Sequence, residues 1–168
     1  ANHGLVIRAV TRNEVNGGSI RVFEQHKKAT RPDGIAGFPG TTGEDVREFA
    51  LRVSRWKSQM QGLLDSDLMM YRPLWGYGAS TKLGTLLRYL DRNQSFIGIA
   101  DRNPAKRGKK MGGTGIPIMG EDQFRAARPG FVLVGPWAFK DEFVKRERSI
   151  MDAGATLIFP LPDITFVV

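Results

Sequence analysis

The stretch from Tyr71 to Asp101 limits the possible fold more than any other part of the chain. It reads as a strand over residues 71–75, a tight turn through Gly76, Tyr77, Gly78, Ala79 and Ser80, a helix over 81–90 and a second strand over 95–100 that ends on Asp101. That order opens a nucleotide-binding βαβ unit. Glycines let the backbone approach a pyrophosphate, and the first turn of the helix presents free N–H groups to it. The glycine fingerprint is incomplete, because Thr81 occupies the place of its third glycine and the next one is Gly84. No Gly-Lys-Ser or Gly-Lys-Thr stands at the spacing of an ATPase phosphate loop. A strand-to-helix turn of purely structural purpose therefore stays open beside a ligand loop.

The segments that follow continue the alternation. Residues 121–127 read as a short helix, 131–134 as a buried strand, 140–151 as a helix, 156–159 as a strand and 164–168 as an edge strand, while 116–118 is too short to assign. Such alternation predicts an α/β chain, a Rossmann-like three-layer domain with a mostly parallel sheet and helices on both faces. A long helix precedes it. Val46, Phe49, Ala50, Val53, Trp56, Met60, Leu63 and Leu64 recur at steps of one to four residues, so the helix runs from Thr42 or Gly43 to Leu64 and covers a sheet face or joins a neighbour.

Earlier still, residues 5–10 and 19–23 read as a β-hairpin around Asn16-Gly17-Gly18. The boundaries that result are a hairpin over 1–26, a Gly- and Pro-rich linker over 27–43 and the main domain over 44–168. A lone hairpin is marginal in water and needs something to pack on. With no initiator Met, the chain is expected to be a piece of a longer protein.

A length of 168 residues suits about one domain with a sizeable core. There is no run of eighteen apolar residues and no visible secretory signal, so the expectation is a soluble, cytoplasmic chain. The absence of cysteine excludes disulfides and thiol chemistry, and two histidines, His3 and His26, give little material for a metal or histidine-based site. Twenty-five basic against seventeen acidic residues leave a net charge of +8, which favours an anionic partner: a phosphorylated small molecule, nucleic acid or an acidic membrane surface. Only residues 102–110 are densely basic, and the wide spread of the other cations is that of a solvated surface, so nucleic acid is the weaker candidate.

In open α/β sheets ligands sit beyond the carboxyl ends of the strands. That rule gathers Gly76 to Ser80, Asp101 to Asn103, Pro136-Trp137 and Pro160 to Pro162 on one rim. Lys82 lies in a first helical turn, where a cation is unfavourable unless an anion binds nearby. Backbone N–H groups of Gly78, Ala79, Ser80 and Thr81, with the Ser80 and Lys82 side chains, would hold phosphate. Asp101 could accept from a ribose hydroxyl or cap the turn before Pro104. Asn103 would join it on sugar hydroxyls. Trp137 could stack on a base or sugar or fill the gap between helix and sheet, and Lys140 would close the rim.

Trp75-Gly76-Tyr77-Gly78-Ala79-Ser80-Thr81-Lys82, Asp101-Arg102-Asn103-Pro104, Gly113-Thr114-Gly115-Ile116-Pro117-Ile118, Pro136-Trp137-Ala138-Phe139-Lys140-Asp141-Glu142 and Phe159-Pro160-Leu161-Pro162 together resemble the C-terminal domain of sugar C-methyltransferases. The resemblance runs from about Val46 onward, and Gly17-Gly18-Ser19-Ile20-Arg21-Val22 is similar to the last strands of the catalytic domain that precedes it in that family. It implies an S-adenosylmethionine-dependent enzyme of three parts acting on nucleotide-linked deoxyhexoses, of which this chain is the last part and binds no cofactor alone. The nucleotide-diphosphate sugar would lie between this domain and an upstream methyltransferase core. The family's Tyr-x-Glu-His acid/base motif is absent here, so the chain alone is not expected to transfer a methyl group. Leu83-Gly84 stands where Gly-Asn is usual, and Ala138 where a polar residue is frequent. Two other classes share some of these features: a nucleic-acid-binding module, and a regulatory domain for NAD or coenzyme A.

Overall fold

A computed structural model describes residues 3–15, 18–26 and 42–168. The chain divides into two compact units, Ala1–Phe49 and Ala50–Val168, with the boundary inside one helix. In the first unit β1 (Leu5–Asn13) pairs antiparallel with β2 (Ser19–His26), the hairpin expected over 5–10 and 19–23 with each strand three residues longer. Asn16 and Gly17 of the expected turn, and residues 27–41 of the expected linker, lie outside the described residues. The helix α1 (Gly43–Leu64) opens on a reciprocal cap in which Asp45 N–H donates to Thr42 Oγ1 (3.1 Å) and Thr42 N–H donates to Asp45 Oδ2 (2.7 Å).

The second unit holds a six-stranded mixed sheet, mostly parallel. Its elements in chain order are the rest of α1, α2 (Asp67–Met70), β3 (Leu74–Tyr77), α3 (Thr81–Leu90), β4 (Phe96–Ala100), β5 (Ile118–Met119), α4 (Glu121–Ala126), β6 (Phe131–Val134), α5 (Lys140–Arg146), α6 (Arg148–Asp152), β7 (Thr156–Phe159) and β8 (Thr165–Val167). The strand order is β5-β4-β3-β6-β7-β8, and only β8 runs antiparallel. β3 is thus central, flanked by β4 and β6.

Alternate side chains of the strands enter two cores. Leu74, Phe131, Leu133 and Ile158 meet α1, α2 and α3 on one face, and Trp75, Val132, Val134, Leu157 and Phe159 meet α4, α5 and α6 on the other. Both faces being covered explains why Phe131–Val134 is apolar at every position. On α3, Leu83, Leu87 and Leu90 are fully buried, each worth roughly 1.5–3 kcal/mol of apolar burial. Ser80 Oγ caps the helix by accepting from Leu83 N–H, and Asp91 ends it in the left-handed conformation with φ of 54°.

Three expectations need correction. Gly76 and Tyr77 belong to the strand, which occupies Leu74–Tyr77 and not 71–75, because Gly76 pairs with Ile99 and Leu133 and Tyr77 with Ala100 and Val134. A Cβ on Gly76 would stand 3.0 Å from Ile99 Cγ1, so this glycine makes room within the core and not for a ligand. The helix expected over 140–151 breaks at Glu147, whose side chain is fully buried among arginines. The step 116–118, too short to assign from sequence, leads into a strand at Ile118–Met119, because β4 supplies its pairing.

Candidate functional site

The carboxyl ends of the strands bring the four expected turns to one rim. Gly78 has φ of 83° and packs on Pro136, where an added Cβ would lie 2.9 Å from the proline Cδ. Only glycine meets both demands at that position. Gly135 N–H donates to Tyr77 O (2.8 Å), tying the end of β6 to that of β3. Lys82 Nζ lies 5.5 Å over the Trp137 ring, Lys140 Nζ lies 5.3 Å over the Phe159 ring, and Trp56 Nε1 donates to Pro160 O (2.6 Å). Lys140 Nζ also donates to Thr165 Oγ1 at 3.3 Å. Trp137 is half-buried against the core beneath it, so it fills the gap between helix and sheet and still carries a cation on its ring.

The turn after β3 is closed on itself. Gly78 N–H donates to Ala100 O (2.7 Å), Ser80 N–H to Gly78 O (2.7 Å) and Ala79 N–H to Asp101 Oδ2 (2.8 Å). Three of the four amides expected to cradle a phosphate are therefore taken up within the protein. Asp101, 8% exposed, accepts from three donors: Ala79 N–H, Asn103 N–H (2.8 Å) and Lys106 Nζ (3.0 Å). Burial by itself would raise its pKa, but the Asn103 N–H, the Lys106 ammonium and the Ala79 N–H outweigh burial and hold the carboxyl below its ordinary value. Of the two roles open to Asp101 from sequence, the geometry shows the cap. Asn103 in turn accepts from Ala105 N–H through Oδ1 (3.0 Å).

Tyr77 turns away from the rim. Its hydroxyl donates to Glu121 and accepts from Arg146 Nη2 (3.0 Å) on the α4–α5 face. Burial first, then the bond to Glu121, pushes the phenol above its ordinary pKa, so it stays protonated. Beside it, Glu147 is held by Arg125 through two bonds (2.8 and 3.1 Å) and by Arg146 (3.1 Å). The side chain of Tyr77 thus builds the core, and only its backbone reaches the strand end.

Next to the rim an open groove of about 600 Å³ runs along α3. Ala79, Ser80 and Thr81 of the expected loop line it, with Thr85, Arg88, Tyr89 and Met111. The last four were not anticipated. Thr85 and Arg88 lie four and seven residues after Thr81, a spacing that marks one helix face, but on an exposed face it reads as ordinary solvation. Lys106 was also missed: it belongs to the basic run 102–110 yet folds back on Asp101 and Ala79 O (2.8 Å).

The strand ends thus share a rim, with an open groove along the helix after β3, and such edges are where ligands of open α/β sheets bind in general. The chain belongs to the family of C-methyltransferase C-terminal domains, whose pattern it matches over residues 14–162. It is also similar to the C-methyltransferase NovU of Streptomyces niveus, with 29% identity over 177 aligned positions that cover 96% of this chain and 41% of the relative. The chain therefore spans about two fifths of the length of the curated relative it matches. Among the described residues no helix is long and apolar enough to cross a membrane.

Proposed function

We propose that this chain is the substrate-holding part of a sugar C-methyltransferase: a Rossmann-like domain over residues 44–168 that binds the nucleotide-diphosphate portion of an activated sugar. The observation that carries this reading is the convergence of Gly78, Lys82, Pro136, Trp137 and Lys140 on one rim beside an open groove, in a chain of this family. In the intact enzyme a base removes a proton beside the sugar ketone, and the enolate that results takes a methyl group. This chain positions the sugar and supplies neither the base nor the methyl donor. Residues 1–26 belong to the end of an upstream methyltransferase core, and 27–43 link it to the binding domain.

S-adenosylmethionine is the methyl donor of the intact enzyme in this reading, and the turn after β3 does not suit it. The amides that would face a nucleotide are closed on Ala100, Asp101 and Gly78, and the Asp101 carboxylate that would take a ribose diol already accepts from three donors. The same geometry disfavours NAD in this turn. The most basic segment gives nucleic acid little support, because Lys106 turns inward to Asp101 and the Arg107 side chain packs 3.2 Å from where a Gly120 Cβ would stand.

Thermal unfolding tests the reading, with thymidine diphosphate as ligand and NAD and S-adenosylmethionine as controls. A ligand at about a hundred times its dissociation constant adds about 2.7 kcal/mol, enough to raise the midpoint by roughly 5–10 °C. The expected result is a rise with thymidine diphosphate alone. No rise with it, or an equal rise with NAD, would contradict the proposal.

A further inference from the structure

We propose that the diphosphate of the nucleotide lies in the groove along α3, held by Arg88 and the hydroxyls of Thr81 and Thr85, and not in the glycine turn after β3. This rests on the nucleotide-sugar reading above and assigns the anion a place within it.

The glycine turn offers the anion at most the Thr81 amide at its helix end, since Gly78, Ala79 and Ser80 each donate to a protein acceptor at 2.7–2.8 Å. An anion at this edge must be met chiefly by side chains. Thr81, Thr85 and Arg88 stand at i, i+4 and i+7 on α3, so they form one row, and all three are exposed. The groove they line has a volume of about 600 Å³, which falls within the roughly 300–1,000 Å³ of small-molecule sites.

Several arginines of the chain are neutralised by carboxylates, the nearest to Arg88 in sequence being Arg92. Arg92 pairs with Asp65, Arg125 and Arg146 with Glu147, and Arg148 with Asp152. Among the described residues no carboxylate pairs with Arg88. Its stem is nonetheless fixed. Gly113 has φ of 74°, and a Cβ there would stand 2.7 Å from Arg88 Cδ, so the loop after β4 closes directly on the side chain. The floor is apolar: Gly84 lacks a Cβ where Met111 Cε would be 3.0 Å away, and Met111 fills that space.

A guanidinium held by its stem and without a carboxylate partner suits a phosphate, which it can meet with two parallel bonds; the Thr81 hydroxyl adds a donor of the right size, while the Thr85 hydroxyl, which donates to Thr81 O (2.9 Å), rotates to exchange that bond for one to the anion. Tyr89 offers a ring at the same groove, and Lys57 Nζ lies 4.5 Å from that ring centre, adding positive charge nearby. The ligand class is an organic diphosphate joined to a flat or apolar group.

Calorimetric titration of the 168-residue chain with thymidine diphosphate tests this, comparing wild type with Arg88→Ala, Arg88→Lys, Thr85→Val and Lys82→Ala. Circular dichroism checks that each variant is folded, as expected for exposed positions. Loss of a hydrogen-bonded charge should weaken binding by roughly tenfold or more in Arg88→Ala, with part recovered in Arg88→Lys and a smaller loss in Thr85→Val. If Arg88→Ala and Thr85→Val both bind within about twofold of wild type while Lys82→Ala weakens binding, the groove is wrong and the rim reading survives. If wild type does not bind thymidine diphosphate at all, both fail together.

Discussion

On the sheet face covered by α4, α5 and α6, Glu121, Arg125, Arg146 and Glu147 close on one another and on the Tyr77 hydroxyl. On the face covered by α1 and α3, Arg88 stands at an open groove with no carboxylate beside it among the described residues. The two arrangements follow from opposite solvent conditions. Glu147 has no solvent exposure, and a buried carboxylate is tolerable only when its lone pairs are met, which Arg125 and Arg146 do from two different helices. That network fixes how α4, α5 and α6 sit on the sheet and leaves no charge for a ligand. The α3 face is the reverse, with a fully apolar core under Leu83, Leu87 and Leu90 and the polar groups kept outside it. Charge that is neutralised within the protein shapes the fold, whereas charge left at a groove is available to a partner.

The sharpest way to break this contrast is Glu147→Ala, which removes the acceptor of three bonds from Arg125 and Arg146 and empties a fully buried position; with Arg125 keeping Glu121 and Arg146 keeping the Tyr77 hydroxyl, it should cost about 3 kcal/mol in denaturant unfolding. Nucleotide affinity of the folded chain should not change, because the network lies on the opposite face; a parallel loss of affinity would erase the distinction. Asp101→Ala comes next. It strips the acceptor from Ala79 N–H, Asn103 N–H and Lys106, and a loss of about 2–3 kcal/mol is expected by the same unfolding measurement. Gly113→Ala should cost about 1–2 kcal/mol through its positive φ and, by displacing the Arg88 stem, lower affinity for thymidine diphosphate. Unchanged affinity would show that the loop does not position Arg88.

The smallest effect is one of pH. Asp101 has a folded pKa below its unfolded one, so its contribution is complete above the unfolded value of about 3.9 and disappears as pH falls through the folded value. Unfolding free energies compared between wild type and Asp101→Asn should differ by a constant amount above about pH 5 and converge below about pH 4. A difference that stays constant to about pH 3 would mean the carboxyl is not held in its charged form.

Elements with a strong local pattern were legible in the sequence. The helix Thr81–Leu90 and the strand Phe131–Val134 stand where their patterns put them, because their apolar residues alone decide which side is buried. The failures have long-range causes. Gly76 looked like a turn residue because its role is to leave space for Ile99 and Leu83, which only the packed sheet reveals. The break at Glu147 is invisible in the periodicity of 140–151, since its chief partner, Arg125, lies 22 residues away. The candidate site was partly legible for the same reason. The strand-end rule located the rim from topology, but which amides remain open depends on hydrogen bonds such as Ala79 to Asp101, 22 residues apart. Arg88 escaped notice because an arginine on an exposed helix face is ordinary until a groove and its neighbours are known.

The most direct measurement is to map thymidine diphosphate on the isotopically labelled chain by the change in backbone and indole resonances. The expected result is a contiguous set of shifted signals from Thr81, Thr85, Arg88 and Gly112, with the Trp137 indole, and little change at Glu147 or Arg125. Saturable shifts confined to the opposite ends of the strands, around Tyr71 and Ile97, would contradict the central claim that this domain holds a nucleotide at its strand-end rim.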